Sequence, residues 1–210
     1  MALGDGETTV YCSRLGQWSL EGDQSRLTDY LTVADRCDAK HALQMFISTI
    51  RTQCRNTLNL GLRNASVKFN LRHVAGHRVA YGAAVDEILK SQNKVREVMV
   101  RLTKVQYDQE RLRRYLAIVF EKPENTGDNP QLKAVTRQME ELRDEAERRT
   151  MKMVREEGCA FNGWAAANGA SEAIEHGGIM PKLSTRMGLA LGTGRSTELV
   201  ARAFAMAERV

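Results

Sequence analysis

The sequence predicts an α+β fold: a small antiparallel sheet in the N-terminal third, then a long helical hairpin and short C-terminal helices. Three observations carry this. Apolar residues recur at every second position up to about residue 73. From His77 onward they recur at steps of three and four instead. Between two long periodic stretches, the run 121–130 (EKPENTGDNP) holds two prolines and a glycine, which breaks the helical pattern. Residues 1–75 therefore read as a β-rich region and 76–210 as a helical region packing on it, a single compact domain overall.

The elements follow in order. Glu7 to Arg14 is β-rich, and Arg26 to Ala34 sets Leu27, Asp29 and Leu31 against Tyr30 and Thr32. Gly16 and Glu21-Gly22-Asp23 supply turn chemistry between them, so a hairpin is expected. Leu43 to Thr52 puts Met45, Ile47 and Thr49 on one face and Phe46, Ser48 and Ile50 on the other. Asn56-Thr57 reads as a cap opening a short helix through Leu62. Ser66 to His73 alternates Val67, Phe69 and Leu71 with Lys68, Asn70 and Arg72, giving one core face and one basic face. Val85, Ile88, Leu89, Gln92, Val95, Met99, Leu102 and Val105 then mark a helical stripe, and Asp108 to Phe120 is its bent extension or a separate helix. A charged helix over Gln131–Glu157, striped by Leu132, Val135, Met139, Leu142, Ala146 and Met153, completes the expected pair. Ala165 to Glu175 is a small-residue helix ended by Gly177-Gly178, and Ser196 or Thr197 caps a last helix to Glu208.

At 42% apolar and 27% charged residues over 210, the composition is that of a globular protein, not a disordered one. No window is apolar enough to span a membrane. The opening Met1-Ala-Leu-Gly-Asp-Gly lacks the basic and apolar stretches of a signal peptide, so a cytoplasmic location is expected. Cys12, Cys37, Cys54 and Cys159 form no C-x-x-C pair and are expected to be reduced. His73 and His77 stand four apart, but strand and turn patterns separate them, so no metal and no cofactor are expected.

Charge is unevenly placed. Residues 1–50 carry four basic and seven acidic side chains, a balance of −3. Residues 51–120 carry fourteen and five, a balance of +9, and residues 121–210 thirteen and fourteen, a balance of −1. Clustered cations attract phosphate backbones, because neutralising phosphates releases counterions. The candidate phosphate contacts are Arg51, Arg55, Lys68 and Arg72 at neighbouring strand ends, with Arg63 and Arg78 flanking. Stacking partners near this segment are limited to Tyr81, Phe46 and Tyr30.

Enzymatic patterns are largely missing. Gly188 to Ser196 fails as a phosphate loop, because Leu189 and Arg195 stand where it needs Gly and Lys. A metal-dependent nuclease needs converging carboxylates, and only Asp35 and Asp38 lie close to the basic segment. Asn168, Glu172 and His176 could share one helical face, either as a polar network or as part of a site.

Cys54-Arg55-Asn56-Thr57-Leu58 resembles a C-x-N-T-L signature, followed by Arg72-His73 at the end of the next strand. Trp164 to His176 resembles a W-G-A-x-N-A-V-T-E-Y-x-D-H block, with Ser171 for Thr, Ala173 for Tyr and Glu175 for Asp. Together these resemble the phage/plasmid-like family known as domain of unknown function 932, over roughly residues 5–176. The resemblance implies occurrence in phages, prophages and conjugative plasmids but no established reaction. In outline, the sheet and long helices resemble phage single-strand annealing recombinases, an analogy of fold alone. The expectation is a non-enzymatic nucleic-acid-binding homo-oligomer favouring single-stranded DNA, for annealing in recombination or replication. Its rival is an oligomeric interaction protein, structural or an inhibitor of a host system, that binds no nucleic acid.

Overall fold

The computed structural model describes residues 8–36, 43–51, 56–58, 69–71, 78–124, 127–177 and 195–210. It has an antiparallel sheet in the N-terminal third followed by helices, the α+β class that the two periodicities predict. Its packing divides into two compact units, Met1–Trp18 with Arg26–Val98 and Ser19–Ser25 with Met99–Val210. The division between successive segments thus falls within a helix, at 98/99.

The sheet unit is built from β1 (Thr8–Ser19), β2 (Arg26–Arg36), β3 (Leu43–Arg51), β4 (Asn56–Leu58) and β5 (Phe69–Leu71), ordered β1-β2-β3-β4 with β5 also on β3. The β2–β3 register pairs Leu27 with Arg51, Asp29 with Thr49, Leu31 with Ile47 and Val33 with Met45. Directly opposed residues share a face, so these form one surface of the sheet. Thr28, Tyr30, Thr32 and Phe46 belong to the other. The helix α1 (Arg78–Lys104) contributes Ile88 and Gln92 to the interior. Asn56 and Thr57 are a correction: they extend the sheet instead of capping a helix, pairing antiparallel with Arg51 and Ile50. Local capping chemistry yields here to ladder hydrogen bonds along β3, which a single sequence does not reveal. The strand expected over Ser66–His73 is described only at Phe69–Leu71, where it pairs with Leu43–Met45.

The helical unit holds α2 (Gln109–Val119), α3 (Pro130–Glu156), α4 (Gly163–His176) and α5 (Arg195–Met206). Each of the first three opens on a side-chain cap. Asp108 accepts from the Arg111 amide, Asn129 from Gln131 and Leu132, and Asn162 from Ala165. The α1 stripe and α2 are separate helices, because the chain between them pairs elsewhere. Tyr107 N–H donates to Phe161 O at 3.1 Å, and Gly163 N–H to Val105 O at 2.8 Å.

α4 packs chiefly on α3 and then on α5. Its buried Ala165, Ala166, Ala167, Ala170 and Ala173 let the backbones approach. At Gly169 an added Cβ would stand 2.0 Å from Thr150 Oγ1 and 2.8 Å from the Thr150 backbone nitrogen. Gly169→Ala is therefore expected to force α3 and α4 apart and cost about 1–3 kcal/mol, read as a lowered thermal midpoint. An unchanged midpoint would mean that the pair yields freely.

Ser19–Ser25, the link between β1 and β2, belongs to this helical unit. Gly22 takes a φ of 78° and its carbonyl accepts from Ala160 N–H at 2.6 Å, while Asp23 bridges to Cys159. Tyr107 and Tyr115 stack edge to face and donate to Ala207 O and Ala203 O, tying down the segment from α5. Burial pushes the Tyr107 hydroxyl up to about 12, so both phenols stay protonated donors.

Candidate functional site

The most organised polar group among the described residues of the sheet unit is centred on Asp29, which alternates with Leu27 and Leu31 on one face of β2. Its carboxylate is completely buried. Thr49, directly opposite on β3, donates to Oδ1 at 2.6 Å. Trp18 Nε1 donates to Oδ2 at 2.9 Å, and Gln92 from α1 donates to the same oxygen. Arg96, one turn further along α1, completes the set at 2.7 Å from Oδ2. Gln92 and Arg96 both reach Asp29 because residues four apart share a helix face.

The Arg96 guanidinium also lies 5.0 Å from the centre of the Trp18 ring. Cation–π contact and ion pair together fix its plane, yet 40% of its side chain remains exposed. Four donors around one buried carboxylate anchor β1, β2, β3 and α1 to one another. Among the described residues no group of three or more His, Cys, Asp or Glu could hold a metal.

The residues singled out from sequence are distributed differently. Arg51 requires a correction, since it is completely buried in the sheet opposite Leu27 and cannot offer its charge to a ligand at the surface. Its alternation with Met45, Ile47 and Thr49 puts it on the covered face. Arg55, Arg63, Lys68, Arg72 and Cys54 lie outside the described residues, as does Asp38. Arg78 is the first residue of α1, and Asn56 and Thr57 lie in β4.

Trp164, Asn168, Glu172 and His176 all lie on α4, but their polar groups do not converge. Trp164 donates to Asp23 Oδ2 at 2.8 Å, and Asn168 donates back to the Trp164 carbonyl at 3.0 Å. Glu172 pairs with Arg149, which also holds Glu145. Burial raises the Glu172 carboxyl above its ordinary range, with Arg149 opposing. His176 stands 3.7 Å from Glu175. These are packing and capping duties within the helical unit.

Exposed cations differ in use between the two units by degree, since Lys104, Arg155 and Arg209 of the helical unit also have no described carboxylate partner. In the helical unit Arg101, Arg113, Lys122, Lys133, Arg137, Arg148 and Arg202 each hold a carboxylate. In the sheet unit Arg14, Lys90 and Lys94 are exposed, and no described carboxylate pairs with them. Aromatic exposure is also displaced from its expected place. Phe46 is buried and Tyr30 half-buried, whereas Tyr11 on β1 is 65% exposed. No spacing rule marked Tyr11. Only its position on the outer strand of the sheet distinguishes it.

Among the described residues no helix is long and apolar enough to cross a membrane. The family described as Domain of unknown function (DUF932) matches over residues 2–206. No curated protein and no solved structure matches the chain.

Proposed function

The chain belongs to the domain of unknown function 932 family, and from that premise we propose that it is a non-enzymatic nucleic-acid-binding protein. Its preferred ligand is single-stranded DNA, bound during annealing in the recombination or replication of a phage or mobile element in the cytoplasm. The carrying observation is the difference in cation use: Arg14, Lys90 and Lys94 stand exposed with no carboxylate partner among the described residues, while most described cations of the helical unit are neutralised in place. The unpartnered charges share a unit with the basic stretch that contains Arg55, Arg63, Lys68 and Arg72. Phosphates would occupy them at the gain of released counterions.

Binding of a labelled oligothymidylate across a salt series tests this. Affinity is expected to fall steeply with salt, and replacing Lys90 and Lys94 together by Ala should reduce the slope by up to about two. Arg137→Ala in the helical unit, which removes a cation already held by Glu141, should leave the slope unchanged. Absent or salt-independent binding sinks the proposal and leaves the interaction protein in its place.

Self-association is part of the same reading. Met99, Leu102, Met139 and Leu142 are buried within the chain, while Val95, Leu132 and Val135 are only half-buried. A homo-oligomer would cover that remainder of the stripe. Light scattering that returns a monomer mass with and without DNA would remove this part.

A further inference from the structure

We propose that Glu172 and Arg149 form a proton-operated clasp between α4 and α3. While ionised, Glu172 holds Arg149 across the two helices. Once protonated, it releases Arg149 to Glu145 on the guanidinium's own helix. Glu145 and Arg149 lie four residues apart on α3 and so share a face. Arg149 donates from Nε to Glu145 Oε1 at 2.6 Å and from Nη1 to Glu172 Oε1 on α4. Glu145, Arg149 and Glu172 keep only 17%, 15% and 14% of their side chains exposed. One guanidinium thus serves two carboxylates with little water to screen them.

The two carboxylates are held unequally. Glu145 has a second guanidinium, because Arg148 donates to both its oxygens, at 2.6 and 2.8 Å. Among the described residues, Arg149 is the one side-chain partner of Glu172. Gly169, three residues before Glu172, brings the α4 backbone against Thr150, next to Arg149. The ion pair therefore stands beside a close approach of the two backbones. The charges that act on Glu172 are Arg149, Arg148 and Lys152 of α3, with Glu157 just beyond its end. On α4 itself Glu175 and His176 stand 3.7 Å from each other, and Arg202 of α5 is taken up by Glu121. Burial pushes the Glu172 carboxyl above the ordinary carboxylate range, with Arg149 opposing, whereas the Arg148 hydrogen bonds hold Glu145 below it. Of the two, Glu172 is the one that mild acid protonates.

A carboxyl raised in the folded chain takes up its proton there at a higher pH than the unfolded chain does. The stability that Glu172 contributes is thus complete below the ordinary carboxylate range and is lost as pH rises through the raised value. Carbon-13 NMR of the glutamate carboxyls in the full chain is the test. Glu172 is expected to titrate above the ordinary range and Glu145 below it. Glu145→Gln leaves Arg149 to Glu172 alone, so the Glu172 midpoint should fall. Arg149→Gln removes the cation, so that midpoint should rise. Melting of the parent's helical unit should shift upward from about pH 7.5 to about pH 5. Glu172→Gln should melt at or above the parent at the neutral end and lose that shift.

A Glu172 midpoint within the ordinary range, or one that Glu145→Gln leaves in place, overturns the clasp. So does a Glu172→Gln chain that keeps the parent's shift, because another group then takes the proton. A Glu172→Gln chain that melts below the parent at every pH would make the pair a plain structural tie, and overturns the clasp as well. None of these measurements uses an oligonucleotide, so nucleic-acid binding can fail while the clasp stands.

Discussion

Asp29→Ala is expected to cost the sheet unit about 3–5 kcal/mol, enough to expose much of it at ordinary temperature given the marginal stability of small folds. The mutation strands several buried donors at once. Trp18 Nε1, the Thr49 hydroxyl and the Gln92 amide would each lose an acceptor. A buried donor without a partner costs about 1–3 kcal/mol. Arg96 would contribute less, because its 40% exposed guanidinium can turn to water. Asp29→Asn separates hydrogen bonding from charge. An amide oxygen placed at the Oδ2 position keeps three donors satisfied, and Thr49 can reverse its hydroxyl to accept from the amide nitrogen. That variant is therefore expected to lose only about 1–2 kcal/mol. Hydrogen exchange resolved by peptide is the measurement. Asp29→Ala should speed exchange across β2, β3 and the first part of α1, while α3 and α4 keep their protection. Equal protection in the Ala variant and the parent would show that the cluster does not hold the sheet unit together.

The same cluster explains what the sequence could and could not reveal. Alternation correctly placed Asp29 beside Leu27 and Leu31, and Thr49 beside Met45 and Ile47. It could not say what faces that surface, because Gln92 and Arg96 arrive 63 and 67 residues later in the chain. The long helices were legible because 3.6-residue periodicity is a local signal sustained over many turns, and the caps at Asp108, Asn129 and Asn162 sharpen their ends. Asn56 and Thr57 misled for the opposite reason: capping chemistry is local, but the free edge of β3 that claims them is not. The burial of Arg51 follows from the alternation within β3, which overrides the usual preference of a strand-end charge for the surface. Tyr11 has no periodic partner, so only the order of strands distinguishes it.

Trp164→Ala is expected to cost the helical unit about 3–5 kcal/mol and to release the link between β1 and β2. Trp164 is completely buried, with its ring 6.4 Å from that of Phe204. Removing it opens a cavity beside Phe204 in the buried interior. It also takes the indole donor from Asp23, a buried carboxylate 141 residues earlier in sequence, whose other oxygen accepts from the Ser25 amide. Trp164→Phe tests the two effects apart. Phenylalanine restores most of the volume but no donor, so its loss should be about 1–3 kcal/mol. Combining Trp164→Phe with Asp23→Asn should recover part of that loss, since an amide tolerates the missing donor better than a carboxylate does. In the parent, quenching by iodide should leave Trp164 emission untouched and reach the half-exposed Trp18. In Trp164→Ala, the amides of Asp23 and Ala160, which donate to Leu20 O and Gly22 O, should exchange earliest. If they keep their protection, the link is held by its backbone pairing at Cys159 and Ala160, and Trp164 serves only the packing of α4.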